Sequence, residues 1–555
     1  IEPGKPVLIV AAVSSRFDGS TDLTAGADDF AASAVQRVSS FRVTALTAVL
    51  QAHEAWWRGF WNNSFVEIPD KVLEQRYYLS HYVMASASRV YDFPPGLFGW
   101  VTTDNPAWNG DYHMNYNHVA PFYGLYVANH IEQADPCHGP ILANADQARE
   151  LCRKTLGIEG IYQYVAIGPK GSIAGASALM QKSNSSYSCV PLMFRWYATY
   201  DLEFGRQAYP FVRDTALFWE NWLKWETNVS TSLPPSLSEL WRTSSAGRYV
   251  IYKDAVHEGS GDDVNPIVSL AFVRMVMNLA LDMSTELGMD AVRHERWKHI
   301  REHISAFPTQ QTKDGKTIFR YTEKGTPWWG DNTVGIQHIY PAGGIGLDST
   351  PQLLEASRNM IGVMNRWVDF NGMNSFYAAA ARVGYDPDVI LKQMRAMLER
   401  LALPNGMIAG NPHGMEHQSI VPNAIQEMLM QSHELNAERG TRNADSINEQ
   451  NKGRKSDSAF RVPRSAFIIR LFPCWPKNHD ARFGALRARG AFLVSAELKN
   501  GAVTGVKIVS EKGRDCTVQN PWPGRKARIA GREVVAGERF SFKTTPGETI
   551  ELRPE

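Results

Sequence analysis

Two carboxamides, Asn115 and Asn117, stand two residues apart in "PAWNGDYHMNYNHVAPFYG" (106–124), together with Trp108, Asp111, Tyr112 and His113. In an extended segment, side chains two apart share a side. A pair of carboxamides there can hold a water or a sugar hydroxyl without titrating; the alternative is that the asparagines cap the helix that follows. In "DAVHEGSGDDVNPIV" (254–268), Glu258 follows His257 in a Gly/Ser loop ahead of a strongly apolar helical stretch. That place suits a carboxylic acid at the mouth of a funnel, or a plain solvated loop carboxylate. Asp262 and Asp263 stand where helix-start acids belong and read as structural. Glu416, in "GNPHGMEHQSIVPNAIQEML" (410–429), lies between His413 and His417. Imidazoles four apart around a glutamate suggest a metal only on a helix, which Gly410, Pro412 and Gly414 disfavour, so no metal is expected.

Aromatic residues collect in the same kind of loop. "TPWWGDNTVGIQHIYPAGGIG" (326–346) supplies Trp328, Trp329, Asp331 and His338, and "GLFGWVTTDNPAW" (96–108) adds Trp100 and Asp104 to Trp108. Flat apolar rings beside amide, carboxylate and imidazole groups are what a sugar pocket requires. The alternative is that many of these rings pack the core. Bulk properties narrow the classes further. Lys and Arg number 58 against 57 Asp and Glu, with no long block of one sign, which speaks against binding nucleic acid through phosphate neutralisation. No membrane partner is expected, because no apolar stretch reaches the roughly 18–20 residues of a membrane helix. Five scattered cysteines without a CxxC pair indicate neither a zinc site nor a disulfide framework. The chain begins at Ile1, so a leader is read as already removed or the chain as partial, and a secreted or periplasmic protein is expected.

These residues need a scaffold, and its pattern is helical. "KPVLIVAAVSS" (5–15) reads as one strand without a nearby partner. From about residue 28, apolar residues recur at three- and four-residue spacing. Helices are predicted near 41–60, 69–89, 118–133, 145–156, 209–226, 266–288, 290–305, 351–366, 375–383, 388–402 and 421–436. Eleven or twelve helices joined by long Gly/Pro/Asn loops fit a mainly α protein built on an (α/α)6 toroid better than a bundle. The segment 436–458 is polar and reads as a linker or surface loop. Beyond about 460, alternating strands punctuated by KNG, EKG and PGE turns predict a small antiparallel β domain.

Taken in order, these pieces resemble glycoside hydrolase family 95, the inverting α-L-fucosidases and α-L-galactosidases. "PAWNGDYHMNYN" is close to that family's WNGDYHLNIN signature. "LEQRYYLSHYVMASASR", "GIQHIYPAGGIGLD", "IQEMLMQSH" and "GALRARGAFLVSAELKNG" resemble further family segments, and "KPVLIVAAVSS" resembles the last strand of its N-terminal β-sandwich. The resemblance implies a division into 1–27 (sandwich remnant and linker), 28–458 (catalytic toroid) and 459–555 (C-terminal β domain). It implies Glu258 as general acid, Asn115 and Asn117 holding the attacking water, and Glu416 in place of the family's water-polarising aspartate. Two sequences depart from the family: "GMEHQSIV" replaces its Asp-Gly-Asn-Phe-Gly, and "DNTVGIQHIY" replaces its His-Arg-His run.

The implied activity is inverting hydrolysis of an α-glycosidic bond in an oligosaccharide or polysaccharide, with no cofactor. The acid is expected to have its pKa raised by partial burial. Trp108, Tyr112 and Trp329 are expected to stack on sugar, with Asp111, His113, His257, Trp328, His338 and His417 around it. Two other classes remain open: a polysaccharide lyase on the same scaffold, which needs a Tyr/His pair and basic residues for a uronate, and a non-catalytic carbohydrate-binding relative.

Overall fold

In the computed structural model the described residues are 7–14, 27–97, 107–227, 247–327, 333–369, 371–410, 414–434, 467–532 and 534–555, with side chains 27–29 excluded. The chain divides into two compact units, Ile1–Asn63 and Ser64–Glu555. In the first, helices Ala27–Ser40 and Leu46–Trp61 are formed, and Trp57 stacks on Trp61 one turn along, at 5.7 Å. The strand expected over 5–15 is not observed: residues 7–14 carry neither helix nor strand.

The second unit is mainly helical, with β sheets at its C-terminal end. Its helices begin where the sequence supplies caps. Asp70 accepts from the amides of Val72 and Leu73 at 3.0 and 3.1 Å and starts Lys71–Ala87. Asp201 does the same for Leu202–Trp222, so this helix starts earlier than the expected 209 and carries Pro210 inside it. The predicted helix over 118–133 is instead three short pieces, interrupted by Asn129 in the left-handed region at φ 61°. Helix Asn184–Thr199 has no counterpart among the expected elements. It is buried on every face, so its sequence carries no apolar stripe. Two hydroxyls of its first turns are paired inside the fold: Ser188 Oγ donates to Gln163 Oε1 at 2.7 Å, and Ser186 Oγ accepts from Trp219 Nε1 at 2.9 Å.

Helix Ile267–Leu287 is, among the described residues, the one long and apolar enough to cross a membrane, which corrects the reading that no stretch reaches that length. Here 89% of its apolar window is covered by the fold itself. Each fully buried Leu, Met or Phe on it contributes about 1.5–3 kcal/mol.

The C-terminal sheets draw on both ends of the helical segment. A seven-stranded antiparallel sheet runs in the order 65–67, 481–488, 492–499, 502–510, 548–554, 527–529, 534–535. A four-stranded sheet runs 539–542, 516–519, 467–471, 430–434. In it Phe467–Leu471 lies parallel to Cys516–Gln519, so the expectation of a purely antiparallel domain is corrected at this pair. Strand Met430–Glu434 continues directly from helix Ile420–Leu429, where the sequence pattern predicts helix to 436. Its ladder with Phe467–Leu471 is a non-local pairing that local propensity does not reveal. All five cysteines are buried and free of disulfides.

Candidate active site

The loop that carries Asn115 and Asn117 opens with a tight reversal, in which Trp108, Asn109 and Gly110 all adopt left-handed conformations (φ 48°, 56° and 65°). Tyr112 and His113 then pair with Ile167 and Ala166 in a short sheet. Alternation along this strand separates the two side chains. His113 enters a cavity of about 440 Å³. Tyr112 turns into the core, stacks on His118 at 4.5 Å and donates its hydroxyl to the carbonyl of Pro94 at 2.8 Å. Tyr112 is therefore packed rather than offered to a sugar. After His113 the chain leaves the extended form, with Tyr116 at φ 143°. A bulky residue in that region is costly, of order 1–3 kcal/mol, and is held only where the surroundings over-determine it.

The consequence is that Asn115 and Asn117 do not act as a side-by-side pair. Both line the cavity, but each serves a different carboxylate. Asn115 Nδ2 donates to Glu258 Oε1 at 2.6 Å and to Gln181 Oε1 at 2.9 Å. Asn117 Nδ2 donates to Glu416 Oε2. Glu258 lies at the cavity surface with 36% of its side chain exposed, whereas Glu416 is wholly buried and absent from the lining. Asn117 thus stands between the cavity and Glu416. His417, also wholly buried, has Nε2 3.4 Å from Glu416 Oε1, so it backs the carboxylate and does not face the cavity.

The Glu258 loop is braced by two aspartates. Asp254 and Asp263 exchange backbone hydrogen bonds at 3.2 and 2.7 Å. The Asp254 carboxylate accepts from the amides of Lys182 and Ala255, and that of Asp263 from the amides of Val256 and Thr326. Asp263 therefore braces the loop and does not cap the helix, which begins only at Ile267. His257, next to Glu258, also lines the cavity.

His113 links the acid to a further carboxylate. Its Nε2 donates to Glu258 Oε1 at 3.2 Å, and its Nδ1 faces both oxygens of the largely buried Asp111, at 3.1 and 3.2 Å. Burial by itself would lower the imidazolium pKa, but the bonds to Asp111 and Glu258 outweigh it and raise it to about 9. The hydrogen bond from His113 pulls the Glu258 carboxyl down to about 2, against burial and with help from Asn115. The expectation that burial raises the Glu258 pKa is therefore reversed, because a charged imidazole sits against the carboxylate.

The remaining lining is Leu97, Trp108, Tyr116, Tyr187, Val334, Gln337, Arg366, Asp369 and Asn371. Arg366 and Asp369 form an ion pair at 2.8 Å. Sequence reasoning missed this wall; the only available signal was "NRWVDFNG" (365–372), a polar loop between two helices with an aromatic residue beside charges. His338 is not at the cavity. It is wholly buried against Phe307 and Phe319, with ring centroids at 5.0 and 4.5 Å, and burial pushes its pKa down to about 3. Trp100, Asp104, Trp328, Trp329, Asp331 and His413 lie outside the described residues.

An acidic group at the wall of a polar, ring-bearing cleft and a second one behind an amide place the protein among the glycoside hydrolases. Comparison with known proteins gives the family. The chain belongs to glycosyl hydrolase family 95, whose catalytic-domain model matches residues 60–429. Among solved structures it is similar to a protein from the human microbiome assigned as a kojibiose phosphorylase, at 10% identity and a TM-score of 0.56, covering 95% of this chain and 73% of that one. It is also similar to the α-L-rhamnosidase of Streptomyces avermitilis, at 11% identity and a TM-score of 0.47, covering 88% of this chain and 42% of that one. No curated protein matches the chain.

Proposed function

We propose that the protein hydrolyses an α-glycosidic bond with inversion, on a sugar of the α-L-fucoside or α-L-galactoside type or a related one, using Glu258 as general acid and Glu416, acting through Asn117, to activate water. The observation that carries the reading is the hydrogen bond from Asn117 Nδ2 to Glu416. With its amide nitrogen committed to the buried carboxylate, Asn117 has its Oδ1 as the acceptor for a water in the cavity. The carboxylate makes that oxygen more electron-rich. As the water attacks the anomeric carbon, Oδ1 takes its proton and Nδ2 passes one to Glu416. Glu258 protonates the departing oxygen from the other side. A base that sits behind an amide leaves room for the water that inversion requires, where a directly attacking carboxylate would stand closer.

The helices are inferred to form the (α/α)6 toroid of the family. A cavity built from the loops around 107–119, 257–258, 334–337 and 366–371 agrees with polar loops converging at one end of such a barrel. Trp108, 48% exposed at the rim, is the inferred stacking surface for a sugar. A uronate-cleaving lyase is less well supported. Among the described residues lining the cavity, the guanidinium of Arg366 is already paired with Asp369, and the imidazolium of His113 lies between two carboxylates. Neither offers the uncompensated positive charge that a uronate calls for.

The test is an NMR time course with aryl α-glycosides of L-fucose, L-galactose and D-sugars. The β-anomer released first from one of them is the expected result. Release of the α-anomer would overturn inversion. An unsaturated product absorbing in the ultraviolet would replace hydrolysis by elimination.

A further inference from the structure

We propose that His113, held between Asp111 and Glu258, stores the proton that Glu258 delivers to the leaving group; this rests on the reading of Glu258 as general acid. Both ring nitrogens of His113 face carboxylate oxygens, Nδ1 that of Asp111 at 3.1 Å and Nε2 that of Glu258 at 3.2 Å. A neutral imidazole has one N–H and would set its bare nitrogen against a carboxylate. Only the imidazolium donates on both sides. The trio therefore carries one proton shared between His113 and Glu258, and it is a positioning arrangement, since His113 acts through Glu258.

The other groups facing the pair leave this assignment intact. Asn115 donates to the same Glu258 oxygen, and Gln181 accepts from Asn115. A further titratable group beside the pair is His257, whose pKa is lowered by burial and by the charge of His113 against the opposing pull of Glu258. Strand pairing adds only the backbone of Ala166 opposite His113.

The proton balance closes. Before substrate binds, His113 is the cation and Glu258 the anion. As substrate enters and water leaves, the proton crosses from Nε2 to the Glu258 carboxylate and both groups become neutral, with His113 keeping its Nδ1 proton in the hydrogen bond to the Asp111 carboxylate. Glu258 then gives that proton to the glycosidic oxygen as the C–O bond breaks and is again a carboxylate. Water contributes its oxygen to the sugar and its proton to Glu416 through Asn117. Afterwards His113 takes a proton from solvent, and Glu416 returns its proton to Asn117 Nδ2 as Asn117 Oδ1 releases one to the cavity, which restores the amide.

This arrangement lets a carboxylic acid work at a pH where an isolated glutamate has lost its proton. Activity that needs the stored proton persists up to the titration of His113 and falls above it. The sign follows from the raised imidazolium: the proton is present below about pH 9 and is lost as the pH rises through that value.

The experiment has two parts, run on the full chain. Ring-nitrogen NMR of protein carrying ¹⁵N-labelled histidine, assigned with H113N, is expected to show His113 protonated on both nitrogens at about pH 8, above the ordinary imidazole range. In E258Q its titration is expected to fall by at least about one pH unit. The second part is the pH profile of kcat/KM for whichever aryl α-glycoside turns over. In H113Q the alkaline limb is expected to move down by roughly four to five pH units, from about 9 to the range of a carboxylic acid, with partial recovery of activity in acid. D111N, which keeps the ring, is expected to move it in the same direction by less. Wild-type His113 titrating in the ordinary range, or an H113Q limb coinciding with that of the wild type, would overturn the proposal. A merely structural or sugar-contacting His113 lowers the profile without moving it. The expected NMR result with no turnover on any sugar would instead overturn the hydrolase reading, leaving the pair intact but without its role.

Discussion

Glu258 and Glu416 are chemically alike and are separated in role by their surroundings. One meets the cavity and carries an imidazolium, and the other is wholly buried behind an amide. This difference makes a kinetic prediction about leaving groups. Glu258→Gln is expected to lower kcat by about 10²–10⁴-fold on a glycoside whose alcohol needs protonation, and much less on a glycosyl fluoride. Glu416→Gln is expected to lower it by a similar factor on both, since water must be activated in either case. Parallel measurement of kcat on the two substrates checks this, and equal sensitivity of both variants would refute the assignment. Much of this was legible from residue types: the Asn-x-Asn spacing, the Gly/Ser loop around Glu258 and the cluster around Glu416. What could not be read was which carboxylate each asparagine would meet, because the contacts join residues 143 and 299 positions apart.

At the scale of elements, the helices behind the site are tied by buried charge. Arg382, on helix Met373–Arg382, donates to Glu427, on helix Ile420–Leu429, through both Nε and Nη2. The Arg382 guanidinium also lies over the Tyr340 ring, 5.1 Å from its centroid. Arg382→Met strands a carboxylate in the interior and is expected to cost about 3–5 kcal/mol. The double variant R382M/E427L removes both charges and is expected to recover most of that loss. Urea unfolding midpoints of wild type, both single variants and the double variant test this; a double variant no better than R382M would show that the pair is more than a mutual neutralisation. Helices with one apolar face, such as 387–401 behind its Asp386 cap, follow from sequence directly. Asn184–Thr199 did not, because a helix surrounded by other helices has no solvent face to generate a pattern.

Across the whole second unit, one carboxylate joins the helical segment to the four-stranded sheet. Asp348 accepts from Arg470 at 2.5 Å and from Arg539, with His433 Nε2 at 3.5 Å. Burial alone would raise the Asp348 pKa, but the hydrogen bonds it receives and the guanidinium charges of Arg470 and Arg539 hold it well below the usual carboxylate range. A depressed carboxyl contributes stability that is present above its unfolded value of about 3.9 and is lost as pH falls towards the folded one. Asp348→Asn is therefore expected to cost about 2–4 kcal/mol at neutral pH, with the gap to wild type narrowing on acidification. Thermal midpoints of the two proteins at about pH 7 and about pH 3 test this; a gap independent of pH would assign the loss to packing.

The sequence by itself determined the helical character of most of 70–430, the strands after 467 and the residue types of a sugar-cleaving site, because periodicity, caps and functional-group chemistry are local properties. The tertiary structure alone decided that Tyr112 and His338 belong to the core, that Arg366 and Asp369 complete the cavity wall, and that Met430–Glu434 leaves a helix to join a sheet. It also set the charge state of the acid. The pKa of a carboxyl depends on which groups the fold brings within about 4–6 Å, and at Glu258 those are His113 and Asn115.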